Sequence, residues 1–87
     1  ESFNTAPEYE KAIKVTKLYF DKEKYEEAIQ WAKKANKLKP EDYESWYIFA
    51  ESLIKLGKIQ KAKKVLIAYI DAYGPNKKIE KLLRSIK

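Results

Sequence analysis

The sequence predicts an all-α fold of two helical hairpins closed by a fifth helix. Three observations predict it. Apolar residues recur at helical spacing in successive segments, and no stretch alternates with the period of a strand. Lys is abundant and Ala, Leu, Ile and Glu fill much of the rest; all but Ile are strong helix formers, and the 2 Gly and 3 Pro stand where segments start or stop. Finally, features of the first pair of segments return 34 residues later, as Ala28 and Ala62 do.

Each element follows from local signals. Thr5-Ala6-Pro7-Glu8 has the form of a capping box, with Pro7 suited to the first turn, and predicts a helix from about residue 6 to 21. Ala12, Val15, Leu18 and Tyr19 are its expected apolar face. Asp21 to Lys24 is too polar to bury and reads as a tight connection. A second helix, Tyr25 to about Leu38, gathers Tyr25, Ala28, Ile29, Ala32 and Ala35 on one side, and Pro40 ends it. Asp42 caps a third helix, where Glu44 in the first turn meets the positive end of the dipole. Its apolar face is Trp46, Phe49, Ala50 and Leu53, and Gly57 stops it near residue 56. A fourth helix runs from about Ile59 to Tyr73. After the Gly74-Pro75-Asn76 break, a last helix spaces Ile79, Leu82, Leu83 and Ile86 at i, i+3, i+4 and i+7.

Composition bounds what the chain can do. With 87 residues, 45% of them hydrophobic, it is sized for one domain with a modest core, and it is too apolar to be disordered. There is no Cys and no His, which removes disulfides and the ligand sets of zinc and most transition-metal sites. Catalysis would fall to carboxylates, Lys and Tyr, and no glycine-rich phosphate loop is present; no enzymatic role, cofactor or metal is expected. The longest apolar runs, Trp46 to Ala50 and Val65 to Ile70, are far short of the roughly 20 residues of a membrane helix. The chain starts at Glu1 and contains no Met, so a longer protein is expected around it.

The net charge of +6 is uneven. Residues 1–42 balance nine Lys against nine acids, whereas residues 43–87 set ten Lys or Arg against Glu44, Glu51, Asp71 and Glu80. The excess in the second half suits either a solvated face or an acidic partner.

The repeat register is carried by many positions. Tyr9 and Tyr43, Glu10 and Glu44, Lys24 and Lys58, and Ala28 and Ala62 are identical across it, and Val15 with Phe49, Thr16 with Ala50, Tyr19 with Leu53 and Tyr25 with Ile59 match in class. This pattern resembles the tetratricopeptide repeat family, whose unit is a 34-residue helical hairpin. In residues 43–76, Trp46, Phe49, Ala50, Leu53, Gly57 and Ala62 fall on the family's signature positions, with Leu66 on another. Residues 9–42 match less fully, departing at Ala12 and Ala32; the second unit departs at Tyr69 and Gly74. Residues 77–87 resemble the solvating helix that caps such arrays. The resemblance implies one domain over 1–87, a fragment of a right-handed α-solenoid, with units 9–42 and 43–76 and a capping helix.

The resemblance also implies a binding face. The first helix of each pair lines a concave groove, which puts Glu10, Ile13, Lys17 and Phe20 there, then Glu44, Tyr47, Glu51 and Ile54. Lys78, Lys81 and Ser85 join them if the last helix keeps the register. Ile13, Phe20, Tyr47 and Ile54 form an apolar strip suited to a protein ligand. The carboxylate clamp of chaperone-tail binders maps onto Ile13, Lys17, Ile48, Lys78 and Leu82, and only Lys78 agrees, so that ligand is rejected. The expected partner is an amphipathic helix or extended peptide. The alternative is nucleic acid or another anionic surface, held by Lys55, Lys58, Lys61, Lys63 and Lys64 with Lys77, Lys78, Lys81, Arg84 and Lys87. It is disfavoured because aromatic platforms interleaved with Arg are missing. Self-association through the helix ends is a further option. The stretch from Trp46 to Ile70, with the closing Lys81 to Lys87, also resembles such domains in bacterial pilus, secretion and transformation machinery, for which cytoplasmic and envelope-associated settings both fit.

Overall fold

A computed structural model describes residues 5–86, with side chains from Glu8 to Ile86. Among the described residues there are five helices: α1 (Thr5–Asp21), α2 (Tyr25–Leu38), α3 (Tyr43–Lys55), α4 (Ile59–Tyr73) and α5 (Lys77–Ser85). These bounds agree closely with the expected ones. The capping box built on Thr5 lies outside the described side chains, as does Lys87. Among the described residues, no helix is long and apolar enough to cross a membrane.

The elements form where local chemistry asks for them. Asp42 caps α3 by accepting a hydrogen bond from the Glu44 amide at 3.0 Å, and Asn76 caps α5 by accepting from Lys78 and Ile79 at 2.9 and 3.2 Å. Each bond satisfies a backbone donor that the first helical turn leaves without a partner.

α1 packs on α2, and α3 on α4, as antiparallel hairpins in sequence order, while α2 rests on α3 and α4 on α5. The first helices also touch each other, α1 against α3 and α3 against α5. α1, α3 and α5 therefore form one continuous layer, and α2 and α4 form the other. No close approach joins α2 to α4 among the described residues. The result is a slab of 40 × 30 × 16 Å.

Small residues set how close the layers come. Ala28, Ala32, Ala35, Ala50 and Ala62 are completely buried. The larger core cluster joins Ile29, Leu53, Leu66, Tyr69 and Ile79, with Trp46, Phe49, Val65, Leu82 and Leu83 packed at its edge. A smaller one joins Tyr9, Ala12, Ile13 and Ala35 beneath Trp31 and Leu38. Burying such side chains contributes about 1.5–3 kcal/mol each for the large ones.

Two features of α1 differ from the expected face. Leu18 is 54% exposed, and the buried set is Tyr9, Ala12, Ile13 and Thr16, itself spaced i, i+3, i+4 and i+7. Thr16 is tolerated inside because its hydroxyl donates to the Ala12 carbonyl at 2.7 Å. Ser45 is buried as well and donates to Asn36 Oδ1 at 2.8 Å, a polar tie from α3 to α2.

The segment joining the hairpins is held from the second one. Trp46 Nε1 donates to the Pro40 carbonyl at 2.8 Å, and the Tyr69 hydroxyl donates to the Glu41 carbonyl at 3.1 Å. Trp46 meets Tyr69 edge-on, with ring centroids 5.6 Å apart, and Tyr73 lies 6.3 Å away. The departure at Tyr69 thus has a role: a large aromatic reaches the connecting loop, where a small residue would leave both a void and a free carbonyl.

Candidate functional site

The α1, α3 and α5 layer carries a cavity of about 590 Å³. α1 supplies Lys17, Phe20 and Asp21 to its wall, and α3 supplies Tyr43, Glu44, Tyr47, Ile48 and Glu51. α5 closes the far side with Lys78, Lys81, Leu82 and Ser85. Helical period accounts for the set: Glu44, Tyr47, Ile48 and Glu51 fall on one stripe of α3, and Lys78, Lys81, Leu82 and Ser85 on one stripe of α5.

Of the residues expected to bind a partner, Lys17, Phe20, Tyr47, Glu51, Lys78 and Lys81 line this cavity together. Ile13 and Ile54 do not. Ile13 is 6% exposed and belongs to the core cluster with Tyr9, Ala12 and Ala35. Ala12 and Ala35 are too small to fill that seam, so the neighbouring isoleucine completes it. Ile54 packs against the larger core cluster instead, one turn beyond Glu51, where the cavity's α3 wall ends. Asp21, Tyr43, Ile48 and Leu82 were not among the expected binding residues. Ile48 and Leu82 do stand at register positions of the carboxylate clamp, so their positions were legible although the clamp's side chains are not there.

The cavity wall is amphipathic and nearly balanced in charge. Lys17 Nζ lies 3.2 Å from Glu44 Oε2, an ion pair that bridges α1 and α3 at an exposed site. Such pairs contribute about 0–1 kcal/mol, so this one orients side chains more than it stabilises the fold. The Lys78 amine stands 5.6 Å from the Tyr43 ring centroid, and the Tyr43 side chain is the chief cause that raises its pKa. Burial pushes the Glu51 carboxyl above its ordinary range, with Lys55 opposing that shift. Burial likewise raises the Tyr47 phenol, aided by the Glu51 charge. Phe20 meets Tyr25 edge-on at 5.4 Å. Apolar rings with charges at their margins can grip a peptide side chain and fix its direction.

Among the described residues, no three His, Cys, Asp or Glu side chains gather where they could hold a metal ion. The cavity wall offers aromatic contact, ammonium and carboxylate pairing, and hydroxyl groups on Ser85 and Tyr47.

A family model described as anaphase-promoting complex, cyclosome, subunit 3, matches residues 4–69, which spans α1 to most of α4. No curated protein and no solved structure matches the chain.

Proposed function

Because the chain belongs to the tetratricopeptide-type repeat family of anaphase-promoting complex, cyclosome, subunit 3, we propose that its concave cavity holds a peptide or amphipathic helix from a partner protein. The family itself suggests a protein-interaction scaffold. The observation that carries the finer reading is the joint wall of α1, α3 and α5, on which Phe20 and Tyr47 stand among Lys17, Glu51, Lys78 and Lys81. The aromatic rings offer buried contact, and the charged rim selects register and orientation. With neither His nor Cys in the chain, the groove is read as a holding site and not a reaction site. Residues 9–42 and 43–76 serve as its two units, and 77–87 as the cap whose inner face completes the wall. A place in a bacterial pilus, secretion or transformation assembly belongs to the same proposal, on the resemblance of residues 46–70 and 81–87 to the domains of such machinery.

The test is capture of partners from a native cell extract by the wild-type domain and by a Tyr47→Ala, Lys81→Glu variant whose helicity and melting are checked alongside. Apolar anchors at the centre of an interface often carry about 2 kcal/mol or more. The variant is expected to stay folded and lose the partner. Retention of the same partner at undiminished level would remove the groove from consideration.

A further inference from the structure

α3 has a second working face. Phe49, Leu53 and Leu56 lie on the side of the helix away from Tyr47 and Glu51, and there they floor a separate cleft between α2 and α4. The two outer helices do not approach each other closely among the described residues, so the cleft stays open, with a volume of about 490 Å³. Ile29 from α2 and Val65 from α4 complete the floor.

The rim is basic. Lys33 enters from α2, while Lys58, Lys61 and Lys64 come from the start of α4, and all four are exposed. Glu26 is the one carboxylate on that rim. Among the described residues the ion pair within 4 Å is Lys17 with Glu44, which lies on the other face, so no described carboxylate neutralises any of these four amines. Lys33 stands 5.9 Å from the centroid of the Phe49 ring, over the floor itself.

A solvated lysine face needs no apolar floor, and an apolar floor that served only the core would not be left open between four like charges. The pairing is what a complementary ligand would have to match: apolar side chains in the middle and negative charge at the edges. We propose that this cleft is a second docking site, taking an acidic amphipathic segment of a partner protein, and that it is independent of the concave groove. The partner's apolar side chains rest on Phe49, Leu56 and Val65, and its carboxylates pair with the amines of Lys33, Lys58, Lys61 and Lys64. Nucleic acid fits this place less well. The floor is mostly aliphatic with a single ring, Phe49, and the rim holds no Arg, so successive bases have no run of stacking platforms. An anionic bilayer also fits less well, since a flat surface would meet the rim and leave the recessed floor empty.

The test uses isotope-labelled protein and a short synthetic peptide with Asp and Glu flanking Leu and Phe at helical spacing. Its comparison probes are the same peptide with every acid replaced by Lys, a single-stranded oligonucleotide, and phosphatidylserine vesicles. The acidic peptide is expected to shift the amide resonances of Phe49, Leu53 and residues 58–65, and to leave those of Phe20, Tyr47 and Lys81 in place. A Lys58→Glu, Lys61→Glu, Lys64→Glu variant is expected to weaken binding by about tenfold or more, mostly through slower association, and high salt to weaken it as well. Val65→Ser, which leaves the charge unchanged, is expected to weaken it through faster release. Four outcomes would overturn the proposal: no saturable binding, equal binding of the lysine peptide, shifts confined to the groove, or tighter binding of the oligonucleotide or vesicles.

Discussion

Glu23 and Gly57 close successive hairpins with the same left-handed turn, one repeat length apart. Their φ angles are 63° and 81°. The Glu23 amide donates to the Phe20 carbonyl at 3.0 Å and the Lys24 amide to Tyr19 at 2.8 Å; Gly57 donates to Ile54 at 3.0 Å and Lys58 to Leu53 at 2.8 Å. This paired bonding satisfies the last carbonyls of α1 and α3 alike. A Cβ at Gly57 would meet nothing within 4 Å, so the conformation and not the space is what favours glycine there.

Glu23 accordingly holds a backbone conformation that costs a side chain roughly 1–2 kcal/mol. Glu23→Gly is expected to raise stability by about 0.5–1 kcal/mol net, because the glycine also loosens the unfolded chain. Gly57→Ala is expected to lower it by about 1 kcal/mol. Denaturant midpoints of the two variants check both signs, and a destabilising Glu23→Gly would refute the strain argument.

Ala28 and Ala62 are completely buried where the helices of each hairpin meet. Leucine at either position has no room, and overpacking typically costs about 1–3 kcal/mol. Thermal melts of Ala28→Leu and Ala62→Leu are expected to fall well below wild type. Unchanged melts would mean that the helices are not in such close contact.

Trp46 and Trp31 are expected to differ. Trp46 packs on the larger core and bonds the Pro40 carbonyl, whereas Trp31 covers the smaller cluster and carries the Lys34 amine 4.6 Å above its ring. Truncating a core Trp costs about 3–5 kcal/mol, and partial exposure places Trp46→Ala toward the lower end. Trp31→Ala is expected to cost less. The comparison is made by urea denaturation of both variants, and the reverse order would mean that the hairpin junction is not where the structure gains its hold.

Glu51 gives a pH dependence of known sign. Burial raises its carboxyl pKa in the folded state, so the folded protein holds that proton more tightly than the unfolded chain does. Stability from this group is therefore greatest at acid pH and declines as pH rises through and just above the ordinary carboxylate range. Glu51→Gln removes the decline. Its melting temperature is expected to exceed wild type at neutral pH and to match it in acid, and an equal gain at both would assign the effect to something other than ionisation.

The fold was almost fully legible in the sequence because its signals are local. Pro40, Asp42, Gly57 and Asn76 act within a few residues of themselves, and the helices begin and end at them. The wall of the α1, α3 and α5 cavity was legible in the charged and aromatic residues whose register repeats, such as Lys17, Phe20, Tyr47 and Lys81. It failed at Ile13, since whether an isoleucine faces a groove or a seam depends on the size of residues on another helix, here Ala35. Leu18 was misread for a related reason: spacing alone admits two adjacent faces of α1, and only the position of α2 chooses between them. Ser45 carried no signal at all, because a buried serine is made acceptable by Asn36, a partner nine residues away on a different helix.

The bonds from Trp46 and Tyr69 to the loop carbonyls of Pro40 and Glu41 have a thermodynamic consequence. They fix the chain where one hairpin hands over to the next, and hence the angle at which α1 stands beside α3. The width of the groove between those helices is thereby set in the free protein. The ligand proposed for this groove would meet a preorganised surface, so the free energy of its contacts would not be consumed in ordering the protein. The cost of ordering would then fall on that ligand, favouring segments already helical over those that must fold as they bind.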